Sequence, residues 1–223
     1  RPAVNRVEPT CVCYGGVIML APHAAALLVA LAASPDPAAL AQRVQGFYER
    51  TRDLEARFTQ TYTYASLGRS QVSKGRLRVK KPGMMRWDYE SPATKTVAVK
   101  GKRLVQYEPE ENQAFVDEKF DASAMSAAIT FLVGTGDLAK EFDFAIDGAG
   151  ALVLRPKVAD PRVASIALVV GASGQVTETR VRDGSGNENK VVFERIETNQ
   201  GLKDADFDVK LPKDVHRVAA PER

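Results

Sequence analysis

Two segments of the chain imitate motifs that perform chemistry, and neither is complete. Residues 134–140 (GTGDLAK) resemble a phosphate-binding loop, but the lysine lacks the preceding glycine and the following serine or threonine. Residues 183–194 have the length and several oxygen ligands of a calcium-binding loop, but position six is Glu188, where the turn requires glycine. We interpret the first segment as the end of one helix and the start of another, and the second as a hairpin turn.

Side chains that could catalyse a reaction are scarce. Glu108, Glu110 and Glu111 surround a proline in a predicted turn, where we expect solvated charges rather than a general acid and base. The chain has no Gly-x-Ser-x-Gly motif, and His216 is the one histidine after residue 33, which argues against a catalytic triad. We therefore predict that the protein is not an enzyme. The alternative is a lipid hydrolase, which would need a base and a nucleophile inside a cavity.

Composition excludes several other classes. Of 223 residues, 44% are apolar and 26% are charged, which is typical of a globular protein. The net charge of +3 is too small for a typical nucleic-acid binder, so we predict no nucleic-acid partner. Both cysteines, Cys11 and Cys13, precede residue 33, so a domain after that point has no disulfide and no thiolate metal site. We predict no metal and no cofactor.

The N-terminal segment is typical of an export signal. Residues 24–33 (AAALLVALAA) form an uncharged apolar run of ten, whereas a membrane-spanning helix needs roughly 20 such residues. We predict that residues 1–33 are a signal peptide or N-terminal extension and that residues 34–223 form a single domain, exported to the periplasm. A buried, alanine-rich helix is the alternative interpretation.

The elements that follow are one helix and then many strands. Asp36 can cap a helix that begins at Pro37, with Leu40, Val44 and Phe47 on one face. Near residue 53 the apolar period changes to two, which is typical of half-buried strands. A second helix is predicted over residues 121–133. The predicted strands lie at about 54–64, 76–80, 85–90, 97–100, 102–107, 112–118, 142–146, 151–156, 163–171, 174–183, 189–198 and 206–210.

About a dozen strands with short turns indicate an antiparallel sheet that is too wide to stay flat. If the sheet curls into a barrel, its concave face could enclose a ligand. If it does not, the same side chains would pack as an ordinary core. Periodicity alone does not decide between a ligand cavity and a packed core. The predicted inward-facing residues are Phe58, Tyr62, Leu77, Val79, Met85, Trp87, Tyr89, Val97, Val99, Leu104 and Tyr107.

A series of short motifs gives the chain a family resemblance. They are Phe47-Tyr48, ARFTQ at 56–60, GRL at 75–77, KPGMMRWDYESP at 81–92, Gly101-Lys102 with YEP at 107–109, FLVG at 131–134, LVLRPK at 152–157, and Phe207 with Pro212. In this order and spacing, over about residues 36–215, the chain resembles the periplasmic outer-membrane lipoprotein carrier family (LolA).

The resemblance implies a fold and a binding site. The fold would be mainly β with a few helices, an incomplete, half-open antiparallel β-barrel with a helical lid. Its cavity would bind acyl chains through the inward-facing residues above and through Ile129 and Leu132, which would belong to the lid over it. The family often has arginine before the motif proline, where it helps to hold the lid. Lys81 stands there in this chain, so Lys81 or Arg86 would hold the lid closed.

The resemblance also implies a function and partners. The protein would be a periplasmic chaperone that carries acylated lipoproteins from the inner to the outer membrane. It would receive them from an inner-membrane lipoprotein-releasing ABC transporter, deliver them to an outer-membrane receptor lipoprotein, and act as a monomer. The alternatives are a lipoprotein-sensing regulator of the same fold and the receptor-type acceptor itself.

Overall fold

The computed structural model describes residues 36–121, 136–160 and 162–219. The predicted signal peptide, the predicted helix over 121–133 beyond its first residue, and both predicted lid residues lie outside this described part. The elements are α1 (Pro37–Arg50), β1 (Asp53–Tyr64), β2 (Arg69–Lys80), β3 (Met84–Ser91), β4 (Lys95–Lys100), β5 (Arg103–Glu108), the 3-10 helix η1 (Pro109–Glu111), β6 (Gln113–Asp117), α2 (Leu138–Glu141), β7 (Phe142–Ile146), β8 (Leu152–Pro156), β9 (Ser165–Val170), β10 (Val176–Arg182), β11 (Glu188–Thr198), the 3-10 helix η2 (Asp204–Phe207) and β12 (His216–Ala219).

In the described residues, twelve strands form one open sheet in the order β12-β6-β5-β4-β3-β2-β1-β11-β10-β9-β8-β7. Neighbouring strands are antiparallel, except that β12 runs parallel to β6. Among these strands the sheet does not close, because β12 and β7 are its two edges. This confirms the prediction of a mainly β, incomplete antiparallel fold, although the sheet is not a closed barrel. Within the described ranges, no helix is long and apolar enough to span a membrane.

Helix α1 begins as its sequence predicts. The Asp36 carboxylate accepts a hydrogen bond from the Ala38 N–H at 3.0 Å, and a proline occupies the first turn. The helix buries Ala41, Val44 and Tyr48 and packs against β7 and β8. Since these side chains join the same apolar cluster as the inner face of the sheet, α1 covers one end of that face.

The strand registers give the sheet an apolar face and a charged face. On β1, the buried residues Leu54 and Ala56 alternate with Glu55, which pairs across the outer face with Arg78 at 2.9 Å. The outer face continues in the same way across β3. A one-residue shift of register would exchange the two faces, so their contrast fixes the pairing.

One predicted strand is wrong. The pattern predicts an extended segment over residues 206–210, but η2 ends at Phe207, which is buried against the sheet, and residues 208–210 form no regular element. The Arg86 guanidinium donates to the backbone oxygens of Asp206 at 3.2 Å and Asp208 at 2.9 Å. A side chain therefore supplies partners that a neighbouring strand would have supplied. The final strand, β12, was not predicted, because its four residues are too few to show a period.

The sheet contains one position that only glycine can occupy without a shift of its neighbours. A Cβ atom on Gly75 would lie 2.0 Å from the Asp88 backbone oxygen and 2.8 Å from Cε1 of Phe58. The register between β2 and β3 also shifts beside it, between Lys74 and Gly75. The ring of Phe58 therefore occupies the space that a side chain at position 75 would need.

We expect Gly75→Ala to lower the free energy of unfolding by about 1–3 kcal/mol, because backbone and a packed ring must move. Chemical denaturation followed by circular dichroism measures this change. Gly148→Ala is the matched control, since nothing lies within 4 Å of its added methyl group, and we expect a change under about 0.5 kcal/mol. Equal effects of the two substitutions would contradict this account of Gly75.

Candidate functional site

Distant strands of the sheet line one cavity of about 440 Å³. Val99 of β4 and Leu104 of β5 line it together with Val181 of β10, although β3, β2, β1 and β11 lie between β4 and β10 in the sheet. In a flat sheet, β5 and β10 would be about 29 Å apart, at about 4.8 Å per strand. The sheet therefore curls, and its apolar face is the concave one. The volume is typical of a small-molecule site.

Most of the lining is apolar or aromatic. The described residues of this kind are Tyr62, Met85, Trp87, Tyr89, Val97, Val99, Leu104, Phe120, Val181, Val191 and Phe193. A cavity of this character favours an apolar ligand, because it removes the ligand's surface from water.

Aromatic rings form the bottom of the cavity. The Phe58 ring packs edge-on against Trp87, with centroids 4.8 Å apart, and against Tyr89, with centroids 5.1 Å apart. Phe193 lies 6.3 Å from Trp87. Burial raises the pKa of the Tyr89 phenol above its usual value, so Tyr89 is neutral at physiological pH. The site therefore presents edges and faces of neutral rings.

Polar side chains enter the cavity on one side. The Gln60 amide nitrogen donates to the Asn189 side-chain oxygen at 2.9 Å. Asp183 also lines this side, and the Asn187 side chain that donates to its carboxylate holds the pKa of Asp183 below its usual range. The backbone N–H of Asp183 donates to the backbone oxygen of Asn187 at 3.1 Å, between paired strands β10 and β11. This confirms the interpretation of the calcium-like segment as a hairpin turn.

The structure brings together seven of the predicted inward-facing residues. These seven are Tyr62, Met85, Trp87, Tyr89, Val97, Val99 and Leu104. Phe58 lies beneath them, against Trp87. Leu77 and Val79 are buried deeper, where they line a separate hollow of about 20 Å³ beside Tyr48.

Tyr107 is not part of this group. It pairs with Thr96, whereas Leu104 pairs with Val99, and an odd separation of three residues places Tyr107 and Leu104 on opposite faces of β5. Tyr107 therefore belongs to the outer face of the sheet. The predicted lid residues Ile129 and Leu132 lie outside the described residues.

The two predicted lid-holding residues have different positions. The Lys81 ammonium donates to the backbone oxygen of Tyr48, in the last turn of α1, and desolvation lowers the pKa of Lys81. Lys81 therefore ties the β2–β3 turn to α1. Arg86 lies on the outer face, where it bonds to Asp88 and to the backbone around η2.

Sequence reasoning missed the opposite wall of the cavity. Thr179, Val181, Asn189, Val191 and Phe193 line it from β10 and β11. Both strands were predicted, and the period of two in residues 189–193 was a usable signal. The missing step was to decide which face of each strand pointed inward.

A comparison with known families matches residues 49–210 to the model described as outer membrane lipoprotein carrier protein LolA. The chain belongs to this family. An outer-membrane lipoprotein carrier protein from Chromobacterium violaceum is 30% identical to it over 204 residues, covering 88% of this chain and 95% of the relative. One from Pseudomonas aeruginosa (strain UCBPP-PA14) is 29% identical over 198 residues, covering 86% and 93%. Among solved structures, a LolA superfamily protein from Nitrosomonas europaea is 10% identical, with a TM-score of 0.44, covering 78% of this chain and 98% of that one.

Tyr48 makes the attachment of α1 sensitive to alkaline pH. Its buried hydroxyl accepts a hydrogen bond from the Val176 N–H at 3.3 Å, and burial raises the pKa of the phenol well above 10. In the folded protein the phenol therefore stays protonated where an unfolded chain would ionise it. The stability that this difference supplies is complete below pH 10 and is lost as the pH rises further.

We expect the free energy of unfolding of the wild type to fall more steeply above pH 10 than that of Tyr48→Phe, by up to about 1.4 kcal/mol per pH unit from this site. Urea titrations between pH 8 and pH 11 measure the slopes. Tyr64→Phe, at an exposed tyrosine, is the control and should follow the wild type. Parallel profiles for Tyr48→Phe and the wild type would refute this role of burial.

Proposed function

We propose that this protein binds the acyl chains of lipoproteins in the cavity and carries them through the periplasm from the inner to the outer membrane. The supporting observation is the cavity of about 440 Å³, whose described lining is mainly aliphatic and aromatic. Membership of the lipoprotein carrier family supports the cargo class. The proposed role needs no bond to be made or broken, so the protein acts as a chaperone and not as an enzyme.

The size of the hydrophobic effect dictates how cargo must be released. Burying a lipid chain contributes about 0.8 kcal/mol per methylene group, and two or three long chains carry roughly 30–45 such groups. The gross gain over water is then about 25–35 kcal/mol, more than any ordinary affinity. Cargo does not leave through water at a useful rate. It passes directly into an acceptor whose own cavity competes for the chains.

The proposed route has a donor and an acceptor. The donor is an inner-membrane lipoprotein-releasing ABC transporter, and the acceptor is an outer-membrane receptor lipoprotein. Delivery to the acceptor needs no nucleotide, because a difference in affinity between the two cavities drives it. In this proposal the protein acts in the periplasm as a monomer, and the predicted signal peptide within residues 1–33 supports that location.

We further propose that Lys81 helps to hold the site closed, with Ile129 and Leu132 as lid residues. The bond from Lys81 to the last turn of α1 supports this role for Lys81, because it joins the helix to the turn that precedes the cavity strand β3. Arg86 instead holds η2 against the outer face. The role of Arg86 in the proposal is therefore structural.

Binding can be followed without a label, because Trp87 is the single tryptophan of the chain and lines the cavity. We expect a palmitoylated ligand to shift the emission of Trp87 to shorter wavelength. Val97→Glu places a charge in the apolar lining and should weaken binding at least tenfold, because the charge must be desolvated. Val169→Glu, at an exposed position outside the cavity lining, should bind like the wild type. Equal affinities for both variants would refute the proposed cavity.

The transport role is tested by release of a triacylated lipoprotein from spheroplasts. Wild-type protein added outside the cells should recover the lipoprotein in a soluble complex, and Val97→Glu should recover little. Val169→Glu serves as the matched control. If the wild type releases none while the transporter is active, the carrier proposal fails.

A further inference from the structure

The two walls of the cavity differ in polarity. Every described lining residue on β3, β4 and β5 is apolar or aromatic. The polar lining comes from β1, β10, β11, the β10–β11 turn and the β8–β9 connection, and it consists of Gln60, Arg162, Thr179, Asp183, Asn187 and Asn189. A few polar groups in an otherwise apolar cavity orient the ligand.

Several of these polar side chains are needed to build the turns. The Asp183 carboxylate accepts from two backbone N–H groups of its own turn, at 2.9 and 3.0 Å, and from the Asn187 amide at 2.8 Å. The side-chain oxygen of Asn187 in turn accepts from the Ala65 N–H at 3.1 Å. Arg162 pairs with Asp160 at 2.7 Å. These groups hold the rim of the cavity together.

Gln60 and Asn189 are different, because their bond is to each other. They lie on the adjacent strands β1 and β11, both half-buried, and a single hydrogen bond of 2.9 Å joins them. In the described part of the chain, this leaves the Gln60 oxygen and three N–H groups, two on Asn189 and one on Gln60, without another partner. Exchanging oxygen and nitrogen in both amides again leaves one oxygen and three N–H groups, so the pair always has a free acceptor beside a free donor.

We propose that the Gln60–Asn189 pair is a polar subsite that binds a secondary amide adjoining the acyl chains of the cargo. This inference rests on the proposed function. A secondary amide offers one N–H and one C=O, which complement the free acceptor and donor of the pair. The acyl chain then lies against the apolar wall of β3–β5, on the other side of the cavity. In a lipoprotein, the amide is either the linkage of an N-acyl chain or the first peptide bond.

The subsite is tested with a matched pair of ligands, N-methylpalmitamide and methyl palmitate, which differ by one N–H in place of an oxygen. Affinities are measured from the emission of Trp87. The wild type should prefer the amide about fivefold, because the ester leaves the acceptor of the pair without a donor. An amide costs more to desolvate than an ester, so a cavity without the subsite would prefer the ester.

Asn189→Leu and Gln60→Leu should each remove or reverse the preference for the amide, while the affinity for methyl palmitate falls less than twofold. Gln71→Leu is the control, since Gln71 lies on the same face of the sheet but outside the cavity lining, and it should keep the preference. An unchanged preference in both cavity variants would overturn the subsite. So would equal binding of the two ligands by the wild type.

Two further ligands identify the source of the amide. One is an N-palmitoyl, S-methyl cysteine methyl ester, and the other is an S-palmityl cysteine N-methylamide with a free amine. The ligand that binds Asn189→Leu more weakly than the wild type carries the recognised amide. If Asn189→Leu binds both ligands as tightly as the wild type does, the proposal is overturned. Failure of the proposed function is distinct from these outcomes, because then no palmitoyl ligand would change the emission of Trp87.

Discussion

The contact between Phe58 and Gly75 is the one on which the cavity depends. A ring can lie over β2 only because position 75 has no side chain, and this ring supports Trp87 and Tyr89 from below. Trp87 and Tyr89 line the open cavity, and Phe58 is buried against them. Apolar side chains of one sheet thus serve two purposes, since some, such as Val97, line the cavity and others, such as Leu77, pack in the core.

Much of this fold can be predicted from the sequence. The period of two in β1 to β5 predicts both the strands and their buried faces, since each strand has a charged side toward water. The family resemblance supplies what periodicity leaves open, namely that the sheet curls around a cavity. The helix cap at Asp36 and the hairpin turn at Asp183 were also predictable, because each depends on hydrogen bonds between residues close in sequence.

The errors have two sources, contacts between residues distant in sequence and the assignment of strand faces. The extended pattern around Phe207 is overruled by the Arg86 side chain, which lies 120 residues from Asp206 in sequence. Tyr107 was assigned to the wrong face because the assignment ignored the parity of β5. The polar wall escaped notice since glutamine and asparagine in a strand resemble surface residues until the curl of the sheet turns them inward.

Residues 204–208 form a strap on the outer face of the sheet. Ion pairs help to attach this strap, whereas packed rings shape the concave face. Lys100 meets Asp208 at 2.6 Å, and Lys80 pairs with Asp204, both at partly exposed positions. Pairs of this kind are screened by salt, whereas contacts among buried rings are not. Rising ionic strength thus weakens the ion pairs of this strap, while the ring contacts that shape the cavity keep their strength.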